Sequence, residues 1–399
     1  MNIQEIKENI YFVGAIGWDK RLFDELIPLL NGTSYNSFLI KGSEKTALID
    51  SIYPSKYFNL TGRLKEIIGG KIDYIISHQA EQDDIESLQE FVETYPESKI
   101  VTNKRCKLLL KDLLLIPEDR FLLVRDGDKL SLGDKTLQFI FDTQVNWPET
   151  MLTYLKEDKI LFSCDFFSSH YVTNELFLKD EKKIYNAAKR YYAETMMPFR
   201  TSIIKSIKKI KSLDIEIIAP SHGPLYKEKK DFIVNAYKSW SSDKVENEVI
   251  IPYVSMRDST ENMVEYLAES LTREGIAVKV FHLTDSGIMR EFVIALVNVA
   301  TIVIGIPAVL TSPHPNIIYA TYLINALKPK VKFISIIGSC GLGEKTVDIL
   351  AGIVSKLKAE IIEPVVVKGY LKDSDFELLD KLAEEISTRH IKIGIANKK

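Results

Sequence analysis

Short apolar runs alternate with helical patterns along the first part of the chain. Several of the runs lie close enough to pair as hairpins: SFLIKGSEKTALID over 37–50, and TLQFIFD followed by MLTYLKEDKILFSCDFF over 136–167. Hairpins need antiparallel neighbours, so they predict mixed sheets rather than an all-parallel one. Between them the spacing predicts helices over 57–68, 86–95 and about 181–211. Strands and helices in this order predict a sheet sandwich covered by helices. The character changes at SWSSDKVENE (239–248), a polar stretch without apolar periodicity that reads as a linker. After it come VIIPYV, VKVFHL, TIVIGIP, KFISIIG and IIEPVVV, each followed by a helical segment. Five strands separated by helices predict a doubly wound parallel α/β domain.

Composition narrows the function classes. The 399 residues are enough for two or three domains, and 46% hydrophobic with 27% charged residues excludes disorder and collagen-like structure. With 52 basic and 55 acidic side chains, the net charge of -3 gives no overall reason to bind nucleic acid or an anionic membrane. No stretch approaches the ~20 apolar residues of a membrane span, and the start MNIQEIKENIYFVG lacks a secretory pattern. Three cysteines are too few and too scattered for a disulfide framework or a four-thiolate metal site. The expectation is a cytoplasmic protein. Histidine is the scarce resource: six, at 78, 170, 222, 282, 314 and 390.

Strand one of the second domain ends in Ser255-Met256-Arg257-Asp258-Ser259-Thr260 and a helical pattern begins at once. Free N–H groups, the helix dipole and hydroxyls there are suited to a phosphate; read alone, such a turn is more often a polar helix cap with no ligand. The dinucleotide fingerprint G-x-G-x-x-G is absent, which favours a monophosphate cofactor. Two further loops leave the same sheet edge: Pro307-Ala308-Val309-Leu310-Thr311-Ser312, and Ser339-Cys340-Gly341-Leu342-Gly343. SMRDSTENM, VIGIPAVLTSPHP and IIGSCGLGEK resemble the three flavin-binding loops of flavodoxins, in the version fused behind a metallo-β-lactamase-like domain in flavodiiron proteins. That resemblance implies that the first loop, through Ser255, Ser259 and Thr260, holds an FMN phosphate, and that the other two flank the isoalloxazine. It also implies an aromatic residue near Leu342, where this chain is aliphatic.

The amino-terminal half carries matching segments: Trp18-Asp19-x-Arg21-x-Phe23, Gly32 to Ile40, Trp147-Pro148-Glu149-Thr150-Met151 and Leu161 to Phe167. The fold implied is an αββα metallo-β-lactamase-like sandwich over 1–245, followed by a flavodoxin-like domain over 246–399. The family's ligand motif is H-x-E-x-D-H, and this chain reads Gln79-Ala80-Glu81-Gln82-Asp83-Asp84. Glu81, Asp83, Asp165 and His222 match ligand positions; Gln79, Asn146 and Asp84 stand where histidines are usual. His78 is one residue early, and a one-residue shift at a strand end turns a side chain to the other face. By resemblance one metal position is left with Glu81, Asp165 and two neutral amides. The other keeps Asp83, Asp84, Asp165 and His222, a set for one divalent ion such as Fe(II), Mn(II) or Zn(II). The alternative is a hydrogen-bonded cluster without metal.

The pair Tyr191-Tyr192 resembles the family's tyrosine pair, and Tyr192 is taken as its catalytic member. The function implied is an FMN-dependent oxidoreductase with an incomplete diiron site. A complete diiron reductase of dioxygen or nitric oxide is the alternative, and a hydrolase ranks last because H-x-H-x-D-H is absent. A redox partner protein as electron donor and a head-to-tail homodimer, or dimer of such dimers, are implied as well.

Overall fold

The computed structural model describes residues 3–18, 22–23, 27–29, 32–52, 62, 64, 67, 71–81, 85, 87–141, 145–309, 312–339, 344–369 and 371–397. The chain divides into two compact units, Met1–Ser241 and Ser242–Lys399.

In the first unit a seven-stranded sheet runs in the order Gln4–Lys7, Ile10–Phe12, Phe38–Lys41, Thr46–Ile49, Tyr74–Ile76, Lys99–Thr102, Phe121–Leu123. A five-stranded sheet follows the order Lys129–Ser131, Thr136–Phe141, Met151–Leu155, Ile160–Cys164, Ile217–Pro220. Both are mixed, as the hairpins required: Phe38–Lys41 pairs antiparallel with Thr46–Ile49, whereas Ile160–Cys164 pairs parallel with Ile217–Pro220. Side chains alternate between faces with period two. Phe38, Ile40, Ala47 and Ile49 pack against Phe139, Met151, Phe162 and Ala219 of the second sheet. Leu39 and Leu48 point the other way, onto Leu88, Phe91, Cys106 and Leu110 of the covering helices Leu88–Thr94 and Lys104–Leu114. Each large apolar side chain so buried contributes about 1.5–3 kcal/mol, and the sandwich holds the strand ends at fixed positions.

Three expectations change in detail. The single helix over 181–211 is two, Glu181–Tyr191 and Arg200–Ile210, joined by a wide turn over Tyr192–Met196 and a tight one over Met197–Phe199. Pro198 has no N–H to continue the ladder. The linker shrinks to 242–245: helix Lys230–Ser241 continues because Trp240 faces the core, and strand Glu246–Tyr253 starts early, with Glu248 paired to Lys279. Of the helix over 57–68, only Gly62, Leu64 and Ile67 are described, all helical.

The second unit is a parallel sheet in the order Ala277–His282, Glu246–Tyr253, Val299–Val309, Phe333–Ser339, then Glu360–Ile361 and Val365–Val367. The fifth strand is split in two, and Pro364 between the pieces cannot donate to the ladder. The spatial order is 2-1-3-4-5, and such sheets bind ligands at the carboxyl ends beside strands one and three.

Candidate metal centre and flavin loops

The amino-terminal site forms where strands of both sheets end. After Tyr74–Ile76 the chain continues without regular secondary structure through Ser77, His78, Gln79 and Glu81. This run is held by Ala80 N donating to the Glu149 carboxylate (3.2 Å) and Met151 N donating to the His78 carbonyl (3.0 Å). Burial raises the pKa of Glu149, with its backbone hydrogen bonds opposing. Asp165 follows Ile160–Cys164 at an irregular register, and His222 follows Ile217–Pro220. Asp50, Asn146, Cys164 and Phe167 hold left-handed φ values of 52, 62, 50 and 72°. Such non-glycine positions cost about 1–3 kcal/mol each and gather where a site imposes geometry.

His78 does not face the centre. Its Nδ1 lies 2.6 Å from Asp50 Oδ2 and its Nε2 2.8 Å from Thr153 Oγ1, so both ring nitrogens are engaged in a chain from one sheet to the other. The register argument about His78 therefore holds.

Gln79 and Asn146 do face it. Gln79 Nε2 donates to Glu81 Oε2 (2.9 Å) and to Asp165 Oδ2 (3.0 Å). Asn146 Nδ2 donates to Asp165 Oδ2 (2.7 Å) and, more weakly, to Glu81 Oε2 (3.4 Å). Thr150 Oγ1 donates to Gln79 Oε1 (3.2 Å), which orients that amide. Two buried carboxylates are thus bridged by two amide NH2 groups. Hydrogen bonds to a charged acceptor contribute about 1.5–3 kcal/mol each.

The other side of the cluster differs. His222 Nδ1 donates to the Ser34 carbonyl (2.7 Å), so in the neutral ring Nε2 carries the lone pair. That Nε2 lies 3.8 Å from Asp165 Oδ1, and Asp165 Oδ1, fully buried, has no hydrogen-bond partner among the described residues. Ser168 Oγ and Ser34 Oγ accept from His222 N and Gly223 N, and Gly223 takes φ +87° with no room for a Cβ beside Ser169. His170 lies beside His222, ring centroids 5.2 Å apart, with Nδ1 on Thr33 Oγ1. Burial, and then the neighbouring His222, hold its pKa well below the usual imidazole value.

The tyrosine assignment is corrected. Tyr192 turns into the core, where its hydroxyl meets Ser241 Oγ (3.2 Å) and its ring packs on Tyr237 and Trp240. Tyr191 is the member beside the centre, with ring centroids 5.0 Å from His170 and 6.4 Å from His222. Neighbours on a helix point about 100° apart, so choosing the wrong one exchanges site for core.

Asp83 and Asp84 lie outside the described residues. Among the described residues, no group of three or more His, Cys, Asp and Glu side chains is placed to hold a metal ion. Asp50, Thr150 and Thr153 went unnoticed in the sequence; only Thr150, inside Trp147-Pro148-Glu149-Thr150-Met151, carried a signal.

In the second unit, register brings the flavin-type loops to one edge: Tyr253 pairs with Gly305, Gly305 with Ile337, and Pro307 with Ser339. Helix Ser259–Arg273 starts directly after exposed Asp258, itself at φ 55° and giving no side-chain cap. Ser255 Oγ accepts from Glu261 N (3.3 Å) and keeps its proton to donate. Ser259 is half-buried at the helix start, its hydroxyl 3.4 Å from the Arg257 carbonyl, and Met256 and Arg257 are exposed. Thr260 is buried instead, donating to the Ile306 carbonyl (3.3 Å). Ala308 pairs with Pro313 and Val309 with Ser312, antiparallel. Ser339 Oγ donates to the Gly369 carbonyl (2.9 Å). Leu310, Thr311, Cys340, Gly341, Leu342 and Gly343 lie outside the described residues.

Sandwich and parallel sheet together define a metallo-β-lactamase-like unit followed by a flavodoxin-like one. The family model described as ODP family beta lactamase matches residues 33–223. An uncharacterised protein of Methanocaldococcus jannaschii is 33% identical over 364 residues, 90% of this chain and 91% of that one. Coenzyme F420H(2) oxidase of Methanothermobacter marburgensis is 32% identical over 79% of this chain and 80% of its own. Among solved structures, rubredoxin oxygen:oxidoreductase of Desulfovibrio gigas matches with TM-score 0.94 and 26% identity over 99% of this chain and 100% of that one. The chain belongs to the flavodiiron family.

Proposed function

We propose that this flavodiiron protein is an FMN-dependent oxidoreductase that moves electrons through the flavin, and that its metal centre is incomplete, holding one metal or none. The family relationship supports the oxidoreductase class. The observation that carries the flavin assignment is the register that aligns Tyr253, Gly305 and Ile337, so that three loops leave one edge beside the start of helix Ser259–Arg273. That edge fits a phosphate: it lies at the positive end of the dipole of helix Ser259–Arg273, and Ser255 and Ser259 bring hydroxyls. Met256, Arg257 and Asp258 shape the loop, Thr260 ties it to the third strand, and by the family resemblance Pro307 to Ser312 and Ser339 to Gly343 would flank the ring. Bound there, FMN supplies one- and two-electron transfer.

On the metal side the donor set fits one ion at most. Asp165 Oδ1 and His222 Nε2 face one another across 3.8 Å, and by the family resemblance Asp83 and Asp84 would join them, residue types suited to a hard or borderline divalent ion. A complete diiron reductase of dioxygen or nitric oxide is the competing reading, and it needs imidazoles at 79 and 146. A redox partner protein as electron donor, a head-to-tail homodimer or dimer of such dimers, and a cytoplasmic location belong to the same reading. Cys106 and Cys164 are buried and free of disulfides, and no helix among the described residues is long and apolar enough to cross a membrane.

The test is to purify the protein, add FMN, remove the excess and record the spectrum, then supply electrons anaerobically from coenzyme F420H(2) or a reduced rubredoxin. About one flavin per chain, bleached on reduction, is expected. A protein left colourless after FMN addition overturns the reading.

A further inference from the structure

We propose that the Glu81 half of the amino-terminal centre is a cation-free half-site, in which the side-chain amides of Gln79 and Asn146 take the place of a metal ion. Any metal the chain binds then lies against Asp165 Oδ1 and His222. The inference deepens the reading above and rests on it for the family frame.

The Asp165 carboxylate is divided between two uses. Its Oδ2 accepts from Gln79 Nε2 at 3.0 Å and from Asn146 Nδ2 at 2.7 Å. Its Oδ1, fully buried, has no hydrogen-bond partner among the described residues and faces His222 Nε2 at 3.8 Å. Glu81 belongs with Oδ2: its Oε2 accepts from the same two amides at 2.9 and 3.4 Å. Two buried like charges need compensation. A divalent ion gives it with positive charge; here two NH2 groups give it with four N–H···O contacts.

The arrangement excludes an ion rather than waiting for one. A metal takes lone pairs, and an amide ligates through its oxygen, whereas both amides present N–H to the carboxylates. Turning either would set an amide oxygen about 3 Å from carboxylate oxygens, replacing two N–H···O contacts with contacts between acceptors. For Gln79 it would also forfeit the hydrogen bond from Thr150. His78, the one imidazole nearby in sequence, is committed to Asp50 and Thr153 and offers no nitrogen in exchange.

Iron counting on the FMN-replete full chain tests this, using Fe(II) as the probe: anaerobic reconstitution, desalting, then iron and flavin measured on the same sample. The wild type is expected to keep no more than one iron per chain, and Glu81→Gln to keep the wild-type amount. The double variant Gln79→His/Asn146→His is expected to gain one iron. Two irons in the wild type, or loss of iron in Glu81→Gln, overturns the proposal. So does a double variant that folds, judged by unchanged flavin content and melting, and gains no iron. If the double variant does not fold, the other two counts still decide. Absence of flavin from the wild type would sink the functional reading and leave the iron counts to be judged separately.

Discussion

The strand ends of the amino-terminal unit turn on one another, whereas those of the carboxy-terminal unit present their groups outward. In the first, Gln79 and Asn146 donate to Glu81 Oε2 and Asp165 Oδ2 in a largely buried ring. In the second, the helix beginning at Ser259 has no side-chain cap from Asp258, and the loop before it, Met256 to Asp258, is exposed at the positive end of the helix dipole. The difference shows how a site for an ion and a site for a phosphate respond to changes in sequence. An ion site is made of charge, so loss of a ligand leaves buried carboxylates that neutral donors can fill. A phosphate site is made largely of backbone, so it survives most side-chain changes.

The comparison is broken most severely by Gln79→Leu. That change removes two of the four donors from a pair of buried carboxylates, a loss of about 3–5 kcal/mol by analogy with breaking a buried ion pair. A large drop in melting temperature of metal-free protein is expected, and an unchanged melt would show that the ring is not needed to hold the carboxylates.

Next comes Ser259→Asp, which sets a negative charge where the phosphate would dock. Losing a charge-assisted hydrogen bond costs about 1.5–3 kcal/mol, so FMN affinity should fall by roughly 10–150-fold in a fluorescence titration, with iron content unchanged. A fall in both would link the two sites.

Acid should separate the units more gently. His390 is buried against Thr301 and Asn247, and burial pushes its pKa down from 6.5 to about 4. The unfolded chain therefore binds the proton more readily, so this contribution to stability is present above about pH 6.5 and is lost as pH falls towards 4. Melting and flavin retention followed over that window should weaken in the wild type and flatten in His390→Gln. The smallest effect expected is from Leu342→Trp: a stacking ring adds about 0.5–1.5 kcal/mol and should tighten FMN binding by roughly two- to twelvefold.

Much of the fold was legible because its signals are local. The 37–50 and 136–167 hairpins and the five-strand alternation come from periodicity within a few residues. Pro198 was a local signal as well: it sits in the tight turn Met197–Phe199 that separates the two helices. The clasp of Asp50, His78 and Thr153 was not legible, because its members are 28 and 75 residues apart and meet only once two sheets are stacked. Substitution of Gln79 and Asn146 could be read from motif alignment. What the amides do could not, since that depends on which way each NH2 turns across a distance fixed by Glu81 and Asp165.

The central claim, that amides occupy one half of the centre in place of a metal, is met most directly by anomalous diffraction at the iron edge from crystals reconstituted anaerobically with Fe(II). The account predicts no anomalous peak between Glu81 and Asp165, with any peak lying on the His222 side of Asp165. A strong peak between Glu81 and Asp165, with Gln79 or Asn146 turned to present oxygen, would contradict it.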